Sequence, residues 1–186
     1  FMGMGEPLDN LDNLNKALEI LTNENGYDYS HKRLTISTVG LVPAIRTLFE
    51  GDIPIRLAVS VNAPNQELRK ALMPISQKYS LEMLMNTLKR LPLKKREQIT
   101  FEYVLLAGIN DKPEHAQELL NLTRDLPVKI NLIRYNGDSA EYKTPSEKNV
   151  LAFQKILTDN GLSAFIRRSL GADILGACGQ LAARYK

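Results

Sequence analysis

The sequence predicts an α/β fold, a partial (β/α) barrel, on three observations. Short β-branched runs alternate with helix-period runs along the chain of 186 residues. The helical runs carry their own start and stop residues, so the two kinds of segment are separately defined. Polar residues and glycines gather where the short runs end, as they do at the C-terminal mouth of such a barrel. Strands joined by helices pair in parallel through right-handed crossovers. The alternative for the same units is an open doubly wound sheet with its ligand at the switch point.

The elements justify this in order. "FMGMGEPLDN" is a strand-like apolar pair running into a glycine-rich turn. Residues 11–25 then place Leu11, Leu14, Ala17, Leu18 and Leu21 on one helical face. "RLTISTVG" at 33–40 is a β-branched strand ending in a glycine turn, and "LVPAIRTLFE" is a short helix that tolerates Pro43 in its first turn. Residues 55–65 form a buried strand followed by a polar loop. Residues 80–91 form an amphipathic helix with Ser80 as N-cap. The alternation continues with a strand at 99–110, a helix at 112–126 with Pro113 near its start, and a strand at 128–136. A helix at 146–161, capped by Ser146 and stopped by Gly161, precedes a last strand at 163–168 and the loop that holds Cys178. Five full strands and a truncated one are therefore expected. The chain carries no signal or transit segment, and its abrupt opening reads as the C-terminal part of a longer protein.

Composition sets outer limits. Apolar residues make up 44% and charged residues 24%, which is ordinary for a globular domain, and no apolar run is long enough to span a membrane. A single cysteine excludes an internal disulfide framework and suits a reducing cytosol. The formal charge of +3 is compatible with RNA but does not demand it. His31 and His115 lie far apart and, with one cysteine, make no metal set. No P-loop, zinc motif or nucleophile elbow is present.

The candidate functional residues lie at strand ends. Glu6 follows two glycines and could accept hydrogen bonds from an amino group, although a tight turn with a solvated acid reads the same way. Ser37, Ser60, Asn62 and Asn136 are short hydrogen-bonding side chains at successive strand ends. Each alone is a turn former; together they suit a polar ligand. Cys178 sits among Gly171, Gly176 and Gly179. It is either a small buried hydrophobe or an accessible thiolate. Basic pairs recur, and Arg167-Arg168 lies just before the Cys178 loop, where it could meet phosphate.

These pieces together resemble one family. "FMGMGEPL", "LTISTVGLVPAI", "LAVSVNAPN", "LMPI", "KINLI" with Asn136, and "GACGQL" are similar, in order and over essentially the whole chain, to the radical SAM RNA adenine methyltransferases of the RlmN and Cfr types. The resemblance implies a barrel of the radical SAM type in which the first strand and the cluster loop are missing from residues 1–186. It implies that Gly5 and Glu6 contact the amino group of S-adenosylmethionine, that Ser37, Ser60, Val61 and Asn62 contact the same ligand, and that Asn136 completes the shell. It implies that Cys178 becomes methylated and passes the methyl group on. Carbon 2 of adenine is a poor nucleophile, whereas a thiolate can take a methyl group by displacement.

The resemblance also implies a 4Fe–4S cluster held by a CxxxCxxC motif expected upstream of residue 1, so these residues alone should form no cluster and be inactive. Implied partners are 23S rRNA, tRNA and an electron donor such as flavodoxin, in the cytoplasm and with no membrane. The function so implied is methylation of carbon 2 of adenine. The alternatives are Cfr-type methylation of carbon 8, a non-catalytic RNA- or S-adenosylmethionine-binding module, and an unrelated barrel enzyme. Two departures stand out: the family commonly has histidine where Asn62 stands, and proline with a proline-rich loop where Arg134 and Gly137 stand.

Overall fold

The computed structural model describes residues 1–3, 5–51, 53, 55–137 and 140–167. Five strands form one sheet: β1 (Thr35–Thr38), β2 (Arg56–Ser60), β3 (Ile99–Leu105), β4 (Val128–Arg134) and β5 (Ala164–Arg167). All neighbours are parallel, and the spatial order is the chain order. A doubly wound sheet reverses its order at a switch point. The unbroken progression here is that of a barrel wall, and it sets the doubly wound alternative aside. Phe1 adds a further rung beside β1: its main-chain nitrogen donates to Thr35 O (2.7 Å) and its carbonyl accepts from Ser37 N–H (3.1 Å).

The connections are α1 (Leu11–Thr22), α2 (Val42–Glu50), α3 (Gln66–Leu72), α4 (Leu81–Leu88), α5 (Pro113–Thr123) and α6 (Glu147–Asp159), with short 3₁₀ turns between some of them. Local chemistry sets their ends. Ser80 Oγ accepts from Met83 N–H (3.1 Å) to start α4, and Ser146 Oγ accepts from Asn149 N–H (3.2 Å) to start α6. His115, half-buried in the first turn of α5, accepts from Lys112 N–H through Nδ1 (3.4 Å). One expectation is corrected: the polar loop after β2 contains α3, capped by Asn65 Oδ1, which accepts from Leu68 N–H (3.0 Å).

Parallel register places paired residues on the same face. Ile36, Leu57, Val59, Phe101, Tyr103, Ile130 and Leu132 share one face and are buried. The helices cover this face; the Tyr103 ring meets Phe153 of α6 at 5.4 Å between centroids. Burying such side chains contributes about 1.5–3 kcal/mol each and drives the helices onto the sheet. The opposite face carries Thr35, Ser37, Ser60, Thr100, Glu102, Lys129, Asn131, Phe165 and Arg167. The sheet therefore has an apolar architectural face and a polar one. Among the described residues no helix is long and apolar enough to cross a membrane.

Candidate ligand site at the strand ends

The opening turn aims Glu6 back at β1. Gly5 has φ +89° with no heavy atom within 4 Å of where a Cβ would stand, so the backbone angle and not crowding calls for glycine. Glu6 Oε1 accepts from Leu8 N–H (3.1 Å), capping the turn Pro7–Asn10, while Oε2 accepts from Val39 N–H (2.7 Å) just past β1. The solvated-acid reading of Glu6 gives way to a clasp between two loops. An ionised carboxylate offers about four lone-pair sites, so capacity remains for an amino group.

A buried guanidinium holds the next two strand ends together. Arg69 of α3 is wholly buried, and it donates to Val39 O (2.7 Å), Ser60 O (3.3 Å), Val61 O (3.3 Å) and the Ser76 hydroxyl (2.5 Å). One side chain thus ties the loop after β1 to the end of β2, where Ser60 and Val61 lie. Burial pushes this guanidinium down to about 10, so it stays charged at neutral pH. Gly40 makes room for it: φ is +102°, and a Cβ there would stand 3.1 Å from Leu84 and 3.3 Å from the guanidinium.

Val61 is fully buried and donates its N–H to Glu102 O (3.0 Å). Asn62 takes φ +56°, a left-handed conformation that Asn tolerates better than most residues. Its Oδ1 accepts from Val104 N–H (2.9 Å), and its own carbonyl accepts from Asn110 Nδ2 (2.9 Å). Asn110, wholly buried, also donates to Val104 O (2.7 Å) and accepts from Leu106 N–H (2.7 Å). Asn62 therefore spends its side chain on joining β2 to β3.

Ser37 and Ser60 lie half-buried on the polar face of neighbouring strands. Asn136, past the end of β4, has a buried Nδ2 with no hydrogen-bond partner. Glu102, in β3, is 5% exposed and has a buried Oε2 in the same condition. Orphaned buried polar atoms are uncommon and costly. Here there are a donor, just past the end of β4, and an acceptor, in the middle of β3, among the described residues. Of the residues predicted from sequence, Gly5, Glu6, Ser37, Ser60, Val61 and Asn62 come together around the ends of β1 and β2. Cys178 and Arg168 lie outside the described residues. Sequence reasoning missed Arg69, Asn110, Asn131 and Glu102. The departures are accounted for locally: Arg134 donates to Pro145 O (3.2 Å), and a Cβ at Gly137 would run into the Tyr135 ring.

The profile of the radical SAM superfamily matches residues 1–120, well over half of the chain. The chain belongs to the radical SAM superfamily. Among curated relatives of this radical SAM chain, "Dual-specificity RNA methyltransferase RlmN" of Lawsonia intracellularis is 50% identical over 186 residues, covering all of this chain and 52% of the relative. The protein of the same name from Syntrophobacter fumaroxidans is 46% identical, covering all of this chain and 54% of the relative. The chain spans about half the length of these curated relatives. A crystal structure of a radical SAM methyltransferase from Sphaerobacter thermophilus superposes with a TM-score of 0.91 at 39% identity, covering 97% of this chain and 53% of that one.

Radical SAM proteins bind S-adenosylmethionine and a 4Fe–4S cluster, and the two fit these residues differently. The orphaned Asn136 donor, the orphaned Glu102 acceptor and the spare capacity of Glu6 suit a ligand that carries an ammonium, a carboxylate, hydroxyls and an adenine. The cluster does not fit: it is held by thiolates, the sequence has one cysteine, and no group of three or more His, Cys, Asp or Glu among the described residues could hold a metal ion.

Proposed function

We propose that this chain is the S-adenosylmethionine-binding, methyl-carrying part of an RlmN-type RNA methyltransferase that modifies carbon 2 of adenine in 23S rRNA and tRNA. The observation that carries this reading is the identity of 50% with an RlmN protein along the full 186 residues, the Cys178 segment included. When bound, S-adenosylmethionine supplies both the methyl group and, after reduction, the radical. The chain's own residues bind and orient it. Glu6, fixed by Leu8 and Val39, accepts from the ammonium. Ser37 and Ser60 present hydroxyls from adjacent strands, and Asn136 donates through its amide. Val61 and Asn62 form the segment behind them, held by Arg69 and Asn110. The Cys178 thiolate would take the methyl group of S-adenosylmethionine by displacement, forming a thioether as the sulfonium–methyl bond breaks and S-adenosylhomocysteine leaves, as a thiolate can and carbon 2 cannot. The cluster's thiolates come from outside these 186 residues, and an electron donor such as flavodoxin, in the cytoplasm, supplies electrons.

The test is mass analysis of 23S rRNA and tRNA from cells lacking the gene, complemented with the full-length protein or its Cys178→Ala variant. Wild type restores 2-methyladenine. The variant leaves it at background, a loss on the order of 10³-fold or more, as expected when a nucleophile is removed. Methylation by Cys178→Ala at the wild-type level would return Cys178 to the role of a buried hydrophobe and remove the proposed mechanism.

A further inference from the structure

Glu102 has an unusual position. It occupies the middle strand of the sheet, on the polar face, yet is 5% exposed. Its Oε1 accepts from Asn131 Nδ2 (3.0 Å) on β4. Arg167 of β5 approaches that same oxygen only to 3.9 Å, the outer limit of an ion pair, with a side chain that is 55% exposed. Oε2 has no partner. Burying a carboxylate is costly unless its oxygens are served by donors. Asn131 fixes the side chain and leaves the other oxygen buried and unpartnered.

Register says what lies beside that oxygen. Ser60, Glu102, Asn131 and Phe165 pair laterally, one from each of β2 to β5, so they form a row across the polar face. Adjacent strands stand about 4.8 Å apart, which puts Ser60 and Glu102 side by side on the same surface. Ser60 belongs to the proposed S-adenosylmethionine shell. A ligand in contact with Ser60 therefore has Glu102 within its reach. The ligand's ammonium is matched by Glu6, at the other side of β1. The donors left on an adenosyl group are its ribose hydroxyls and its adenine amine. An ionised carboxylate oxygen has two lone pairs, which suits a vicinal diol, the pairing by which acidic residues hold ribose elsewhere.

We propose that Glu102, oriented by Asn131, binds the ribose hydroxyls of the adenosyl cofactor. This rests on the reading of the chain as a S-adenosylmethionine-binding unit. The ribose of a target adenosine in RNA offers similar chemistry, and the experiment separates the two sources. The full-length protein, reconstituted anaerobically, is titrated with S-adenosylmethionine and with its 2′-deoxy and 3′-deoxyribose analogues, without RNA. Wild type is expected to prefer the parent over at least one analogue by about tenfold or more, the worth of a hydrogen bond to a charged group. In Glu102→Ala and Glu102→Leu that preference collapses to within about twofold. The ratio is internal to each variant and does not depend on the fraction that is folded.

Wild type binding both analogues as tightly as the parent overturns the proposal whether or not the variants fold. A preference that persists in Glu102→Ala overturns it as well. RNA affinity is expected to be equal in wild type and Glu102→Ala. A loss confined to RNA, with the cofactor preference intact, would reassign Glu102 to the substrate ribose and overturn the proposal. Failure of the wild type to bind S-adenosylmethionine at all would instead strike the functional reading beneath it.

Discussion

Arg69, on α3, and Glu102, in the middle of β3, are both buried ionisable side chains, and their surroundings are opposite. Arg69 donates to three backbone carbonyls and a hydroxyl. Glu102 has one firm donor at 3.0 Å and one open oxygen. Both pay the cost of leaving water, but only Arg69 is repaid within the chain. A charge satisfied by backbone carbonyls is architecture: it fixes where Val39, Ser60 and Val61 stand. A charge left half satisfied on the polar face is held ready for something that binds. The satisfied cluster thus preorganises the positions that the open one uses, which is how a precise site is supported.

The comparison breaks most visibly at Arg69. Replacing it with Met leaves three carbonyls and the Ser76 hydroxyl without their donor. The expected loss is about 3–5 kcal/mol, measured by urea unfolding of the full-length protein. A loss below about 1 kcal/mol would show that water replaces the guanidinium and that the cluster is not architectural. The pH behaviour follows from the depressed value. With a folded pKa of about 10 against an ordinary 12.5, the folded state binds fewer protons than the unfolded state only as pH approaches 10. Stability from this group therefore rises with pH there and is flat between pH 6 and 9, so Arg69→Met should leave the pH dependence in that window unchanged.

Asn136 should behave in the opposite sense. Its Nδ2 is buried without a partner, so Asn136→Ala removes an unmet donor. Stability is expected to stay level or rise by about 1 kcal/mol, while affinity for S-adenosylmethionine falls. Thermal unfolding and ligand titration on the same samples read both quantities. A variant that is destabilised with affinity intact would place Asn136 with Arg69, as architecture.

The contrast also explains what the sequence could reveal. Strands and most helices were legible because their signals are local: Ser80 and Ser146 cap their own helices, Gly161 at φ +80° follows α6, and apolar residues mark the buried faces. α3 was not legible because it is seven residues long, its one fully buried residue is Arg69, and Leu68 with Leu72 is too short a stripe to read as a helix. Asn65 followed by Glu67 was the available signal, a cap with an acid in the first turn. Glu102 was hidden in "ITFEYVLL", which reads as one continuous buried strand. An acid inside such a run was the clue to a polar face. The roles of Asn62 and Asn110 depend on partners 42 and 48 residues away, beyond the reach of any local pattern. Gly5, Glu6, Ser37 and Ser60 were singled out because the C-terminal ends of parallel strands are where such sites form.

Asn62 sharpens the comparison by separating two contributions at one residue. It holds Val104 N–H through its side chain while its backbone sits at φ +56°. Asn62→Ala loses the hydrogen bond and places a less tolerant residue in the left-handed region; Asn62→Gly loses the same bond but accepts the angle freely. The two variants should therefore differ by about 1 kcal/mol, with glycine the more stable. Urea unfolding of the pair in the full-length protein measures that difference. Equal stabilities would mean that the backbone relaxes out of the left-handed region once the bond to Val104 is gone. In that case the side chain holds the conformation, and the end of β2 owes its shape to a contact with β3 as well as to Arg69.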